Sequence, residues 1–125
     1  KLMIKESGNL LNVTIREISQ DEDSALPYAK KDMFGLVMLF TIDRNEEAEK
    51  ALLPSVSGLI DLALNHGGTF YLPYRNYANS KQILQAYPEL ENFISLKKKE
   101  DPKEIFASDF YAYLIQTVNQ INPKP

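Results

Sequence analysis

The chain of 125 residues contains no cysteine and only one histidine, His66. The absence of cysteine excludes a disulfide framework, a thiolate metal site and a cysteine nucleophile, and it is typical of a reducing compartment, which predicts a cytoplasmic location. No apolar run is long enough to span a bilayer. The net charge of −3 does not attract nucleic acid or an anionic membrane surface. The sequence therefore predicts neither a nucleic-acid partner nor a membrane span.

The signatures of a complete active site are also absent. No nucleophile is accompanied by a nearby histidine and acid, and no glycine-rich loop is suited to phosphate. The acidic cluster Asp21, Glu22 and Asp23 either binds a cation or lies solvated in a turn, and its spacing is not that of an EF-hand loop. We predict no metal site.

Two stretches in the first third of the chain have the character of strands. Residues 10–18 alternate between apolar and polar side chains, which predicts a half-buried strand. Residues 34–42 are almost uninterrupted apolar, which predicts a more central strand covered on at least one face. Gly35 within this second stretch indicates either a bulge or a close approach of another group.

Helical patterns account for most of the remaining sequence. Apolar residues recur at helical spacing from Leu52 to Leu64, where Pro54 either begins a helix or lies inside a kinked one. His66 follows this pattern and is either a cap at the helix end or a catalytic base. Shorter helices are predicted from Asn79 or Ser80 to Tyr87, from residues 88 to 99, and from residues 110 to 119 after a cap at Ser108 or Asp109.

The stretch Gly67–Arg75 organises the rest of the chain. Gly67 and Gly68 suit the end of a helix, where a positive φ is needed. Residues 69–73 are β-prone and predict a third, short strand that ends at Pro73. Tyr74 and Arg75 would then lie at a strand end, where side chains often face a ligand. The alternative is a core strand with one exposed arginine.

Together these patterns predict an α+β fold. The expected architecture is a small, mostly antiparallel sheet, with strands near residues 10–18, 34–42 and 69–73, covered by helices and followed by a helical C-terminal segment. On this basis alone the function stays undetermined.

The run from Gly67 to Tyr113 resembles the C-terminal portion of FAD-linked oxidases of the vanillyl-alcohol-oxidase type. The order and spacing of its motifs are similar to the closing segment of sugar-directed members, such as the aldonolactone oxidases and decaprenylphosphoryl-ribose oxidase. The residues that carry the resemblance are Gly67–Arg75, Ala86-Tyr87-Pro88, Phe93, Leu96-Lys97, Asp101-Pro102 and Ile105-Phe106-Ala107-Ser108-Asp109.

The resemblance implies a division of the chain and a reaction. Residues 1–78 would belong to a cap (substrate) domain, and residues 79–125 would return to an N-terminal FAD-binding domain that this sequence lacks. The chain is therefore expected to be a fragment that neither holds FAD tightly nor turns over alone. The implied reaction is oxidation of a CH–OH group of a sugar, polyol or sugar lactone, with hydride transfer to the flavin.

The resemblance also implies roles for four residues. Arg75 would stabilise the charge of the reduced flavin, and Tyr74 would orient substrate or flavin, which makes these two the candidate catalytic residues. Tyr71 would contact the substrate or pack in the core. Asp109 would contact the cofactor-binding partner or cap the last helix. Related enzymes have a lysine at or near Tyr74, and because arginine is a poor base, proton transfer is not accounted for.

A second function fits the same residues without catalysis. The chain would then be a stand-alone α+β module whose tyrosine-rich strand forms a protein contact.

Overall fold

The computed structural model describes residues 9–121 of the chain. The described part forms a two-stranded antiparallel sheet and four helices, which confirms the predicted α+β class. In chain order the elements are β1 (Asn9–Ile18), β2 (Met33–Thr41), α1 (Glu46–Asn65), α2 (Ser80–Ala86), α3 (Leu90–Glu100) and α4 (Asp109–Ile121). The outer ends of the two predicted domains, residues 1–8 and 122–125, lie outside the described residues.

Strands β1 and β2 form a hairpin in which Ile18 lies opposite Met33 and Asn9 lies opposite Thr41. The predicted strands agree with these bounds to within one residue. A Cβ atom on Gly35 would lie 2.5 Å from Cδ1 of Ile18, so glycine is needed there for a close approach. The register irregularity lies elsewhere, between Leu10 and Asn12 in β1.

One face of this hairpin is apolar and open to solvent. Paired residues of an antiparallel sheet project to the same face, and Ile15 is paired with Leu36. Together with Val13 and Phe34 they form the open hairpin face, whose side chains are between 40% and 69% exposed. The prediction that helices cover the sheet is therefore wrong for this face. Local alternation predicts which side of a strand is apolar, but not whether another element lies against it.

The predicted third strand at residues 69–73 is also wrong, because this segment is irregular. Helix α1 ends in a Schellman motif, in which Gly68 N–H donates to the Ala63 carbonyl and Gly67, with φ +69°, donates to the Leu64 carbonyl. The carbonyl of Phe70, which a strand partner would bind, instead accepts a hydrogen bond from the hydroxyl of Tyr87. The Tyr87 hydroxyl thus satisfies the Phe70 carbonyl, which a sheet ladder would otherwise pair.

The hydrophobic core lies among the helices and the irregular segment before α2. It is formed by buried side chains from both halves of the chain: Ile60, Leu64, Leu72, Ala78, Ile83, Ala86, Tyr87, Leu90, Ile94, Tyr111 and Leu114. Helix α1 is continuous, with Pro54 inside it. Asn79 caps α2 in a reciprocal capping box with Gln82, and Ser108 Oγ accepts the backbone N–H of Tyr111 at the start of α4.

Tyr87 is the largest fully buried side chain of this core, and its pKa is raised because burial disfavours the phenolate. A raised pKa in the folded state means that Tyr87 contributes stability below about pH 10, which is lost as the pH rises through the folded-state pKa. We expect Tyr87→Phe to lower the free energy of unfolding by about 1–3 kcal/mol near neutral pH, because the Phe70 carbonyl loses its donor.

The measurement is urea unfolding at about pH 8 and about pH 11, and the variant is expected to lose less stability than the wild type between the two. The control is Tyr74→Phe, which removes a hydroxyl from an exposed ring. It should leave the free energy of unfolding at each of the two pH values as it is in the wild type. Equal pH dependence in Tyr87→Phe and the wild type would contradict the assignment of the alkaline loss to Tyr87.

Candidate functional site

The segment from Gly68 to Arg75 is anchored on one side and open on the other. The hydroxyl of Thr69 donates to the backbone carbonyl of Tyr28, in the connection between β1 and β2, at 2.7 Å. Phe70 packs edge-to-face on Tyr87 with ring centroids 5.7 Å apart, and Leu72 is buried. Because Phe70 and Leu72 face the core, the intervening Tyr71 faces outward.

Three tyrosine rings meet on this outer side and form a surface that we name the tyrosine platform: Tyr28, Tyr71 and Tyr74. The ring of Tyr71 lies 5.4 Å from that of Tyr28 and 5.0 Å from that of Tyr74, both in edge-to-face geometry. Tyr71 is 50% exposed and Tyr74 75% exposed, so the alternative that Tyr71 is a core residue is wrong. Burial raises the pKa of Tyr28, and the neighbouring Tyr71 contributes in the same direction.

Arg75 extends away from the platform towards helix α1. Its guanidinium forms an ion pair with the carboxylate of Glu49 and lies 3.5 Å from the hydroxyl of Tyr77. The side chain of Arg75 is 58% exposed and that of Glu49 is 49% exposed. Ion pairs with this much solvent contact stabilise a protein by about 1 kcal/mol or less, so a ligand can displace the pair at low cost.

Arg75 lines an open groove of about 830 Å³ between the end of the hairpin and the start of α1. We name it the arginine groove. Its lining mixes apolar and charged side chains: Leu11, Leu39, Phe40 and Ile42, together with Asp43, Arg44, Glu46, Glu49 and Arg75. It is a groove open to solvent and not an enclosed pocket. Because Tyr74 and Arg75 are consecutive, the tyrosine platform and the arginine groove adjoin at this dipeptide.

The structure brings Tyr71, Tyr74 and Arg75 into one region, but it does not join Asp109 to them. Asp109 is the exposed first residue of α4, where Ser108 provides the capping oxygen. Among the described residues no hydrogen bond or ion pair links Asp109 to the other three. His66 lies at the C-terminal cap of α1, with Nδ1 2.8 Å from the Leu62 carbonyl oxygen, as expected for a helix cap.

Two neighbours of the site were not predicted from the sequence. Tyr28 lies 43 positions before Tyr71, in an irregular connection without periodic pattern. Glu49 was interpreted only as one of several acids near a helix N-terminus, where the macrodipole favours them. Neither residue has a local signal for its contact, because both contacts depend on how distant segments pack.

The chain matches no protein-family model, no curated protein and no solved structure. Within residues 9–121, no helix is long and apolar enough to cross a membrane, and no group of three or more His, Asp or Glu side chains is arranged to hold a metal ion. The fold and the site together describe a small α+β protein that exposes the tyrosine platform and Arg75 on one surface. Its membership of the flavin-linked family stays a prediction.

Proposed function

We propose that this chain is the substrate-side, C-terminal part of an FAD-dependent oxidoreductase that oxidises a CH–OH group of a sugar, polyol or sugar lactone. The supporting observation is the exposure of Tyr74 and of the next residue, Arg75, which lines the arginine groove. If both side chains were packed in the core, no cofactor-bearing partner could reach them. A cytoplasmic location is part of the same proposal.

The residues of the groove suit one part of FAD, the isoalloxazine ring. Leu11, Leu39 and Phe40 would offer apolar side chains to a flat aromatic system, and Arg75 would offer a cation to the edge where negative charge develops once its ion pair with Glu49 opens. The sequence has no glycine-rich loop for the pyrophosphate, so a separate FAD-binding domain has to hold the nucleotide. A flavin bound there would supply the acceptor for the hydride of the carbinol carbon, and the hydroxyl proton would pass to solvent water.

This chain's own residues then bind and orient the reactants. Tyr71 and Tyr74 present two aromatic rings and two hydroxyls to the substrate, and a ring with few rotatable bonds does so at low entropic cost. Arg75 adjoins Tyr74, so the substrate surface and the cation that stabilises the reduced cofactor are adjacent. The proposed contact of Asp109 with the FAD-binding domain would be made from the exposed start of α4.

The open hairpin face is consistent with a chain that packs against another domain or protein. An isolated two-stranded sheet is marginally stable in water, and exposed apolar patches mark surfaces that a partner covers. The same observation favours the second candidate function, a protein-interaction module without catalysis. The coding sequence upstream of Lys1 separates the two, since an in-frame FAD-binding domain supports the enzyme and an immediate start codon supports the module.

The direct test is the visible absorption spectrum of the protein expressed from the whole reading frame. We expect the two bands of an oxidised flavin, and we expect them to bleach under anaerobic conditions when a sugar, polyol or sugar lactone is added. The control is the 125-residue chain alone, which should be colourless. A whole protein that carries no flavin after reconstitution with FAD would reject the proposal.

A further inference from the structure

We infer that two copies of this chain associate through the free edge of β2, so that their hairpins form one four-stranded antiparallel sheet with the strand order β1–β2–β2–β1. The inference goes beyond the proposed function and does not rest on it. It concerns the outer edge of β2, where backbone groups point sideways, whereas the open hairpin face is one of the two surfaces of the sheet.

Strand β2 has the sequence of a central strand but lies at an edge. Its nine residues are uncharged, contain no proline and form an almost continuous apolar run. Such a run is typical of a strand that has neighbours on both sides. Within the described residues β2 pairs only with β1, and its other edge has no strand beside it. An uncharged edge strand offers its unpaired N–H and C=O groups to another strand.

The outer edge of β1 is protected against the same kind of pairing. Strand β1 carries Arg16 and Glu17 near one end, and its ladder with β2 is irregular between Leu10 and Asn12 near the other. Charged side chains and bulges are the devices by which edge strands prevent pairing with another chain. A new strand is therefore added at β2, and a sheet that ends in β1 on both sides does not grow further.

A second copy of β2 fits this edge because the strand is complementary to itself. In the antiparallel register that overlaps all nine residues, Val37 lies on the two-fold axis, opposite Val37 of the second copy. Phe34 then lies opposite Phe40, and Leu36 lies opposite Met38. Every cross-strand pair is uncharged, so no like charges face each other. The arrangement is a closed two-fold dimer, the commonest form of protein self-association.

The charges just beyond β2 favour the same register. It brings Lys31, two residues before the strand, to the side of Asp43 of the second copy, two residues after the strand, and symmetry repeats this pair. Among the described residues neither side chain has an ion-pair partner. The next residues outward, Lys30 and Arg44, are alike in charge, but Lys30 is already paired with Glu89 at 3.1 Å.

The pairing also answers the low stability of an isolated hairpin. Two strands alone are marginally stable in water, whereas sheets of three or more strands are stable more often. A single pair of strand edges is nevertheless a small interface beside the roughly 800 Å² per partner of a standard complex. We therefore expect a weak dimer, with a dissociation constant of about 10–100 μM.

Sedimentation equilibrium of the 125-residue chain tests the inference. The mass should rise from 14.3 kDa towards twice that value between about 1 and about 500 μM protein. Val37→Lys places two ammonium groups opposite each other and should weaken the dimer at least about tenfold, and Val37→Glu should do the same with two carboxylates. An equimolar mixture of the two variants should form a heterodimer, which also shows that both are folded.

The matched control is Val13→Lys in β1. Val13 is 40% exposed and Val37 is 41% exposed, so the two substitutions place the same charge at equally open positions on different strands. The Val13→Lys protein should dimerise as the wild type does.

Three results would overturn the inference. The first is a mass of 14.3 kDa at every concentration, the second is a loss of dimer in Val13→Lys equal to that in Val37→Lys, and the third is a mixture of the two Val37 variants that stays monomeric. Each of these leaves the proposed function standing if the whole protein carries flavin. A colourless whole protein would reject the proposed function even if the chain dimerises through β2.

Discussion

Replacing Leu114 by Ala is expected to lower the free energy of unfolding by about 3 kcal/mol, within the range of about 2–5 kcal/mol for a buried leucine. The side chain of Leu114 has no exposed surface and packs in α4 against the core that unites α1, α2 and α3. Its truncation removes apolar burial and leaves a cavity that the surrounding helices fill only in part. Urea unfolding followed by circular dichroism measures the change.

The matched control is Leu36→Ala, the same substitution on the open hairpin face. Leu36 is 56% exposed, so we expect a change within about 0.5 kcal/mol and a protein that is at least as soluble. If Leu36→Ala cost as much as Leu114→Ala, the hairpin face would be covered in solution and the description of it as open would be wrong.

Under the proposed function, replacing Arg75 by Ala in the whole protein is expected to slow flavin reduction by substrate about a hundredfold, because a cation beside developing negative charge would be lost. Arg75→Lys keeps the charge but not the planar guanidinium, so it should recover part of the rate. Anaerobic stopped-flow reduction, followed in the visible flavin bands, measures both variants.

The control for this prediction is Arg16→Ala. Arg16 is an exposed arginine in β1, opposite Gly35, and lies outside the tyrosine platform and the arginine groove. Its replacement should leave the rate of flavin reduction unchanged. An Arg75→Ala protein that is reduced as fast as the wild type by every sugar, polyol and lactone tested would refute the role given to Arg75.

The parts of the fold that follow local rules were predictable from the sequence. Alternating and continuous apolar runs identified β1 and β2 to within one residue, because strand periodicity is a property of the strand itself. Gly67 was assigned to a helix end because few other residues accept a positive φ, and it has that conformation. The caps of α2 and α4 were predicted as Asn79 or Ser80 and as Ser108 or Asp109, and the structure has Asn79 and Ser108 there.

The parts that depend on long-range packing were not predictable. Residues 69–73 have the composition of a strand, yet the Thr69 hydroxyl donates to the Tyr28 carbonyl, the Tyr87 hydroxyl donates to the Phe70 carbonyl, and no sheet forms. The candidate site was also predictable only where it depends on neighbouring residues in the sequence. Its dipeptide Tyr74–Arg75 was identified from the sequence, whereas its neighbours Tyr28 and Glu49 were not.

The sequence by itself determined the α+β class, the bounds of β1 and β2, the helix end at Gly67 and a choice of two residues for the caps of α2 and α4. Those features depend on backbone preferences and on side-chain spacing within a few residues. Only the tertiary structure decided that the hairpin face stays open, that Arg75 is paired with Glu49 and that three tyrosines share one surface. These depend on contacts between segments far apart in the chain, for which local spacing carries no signal.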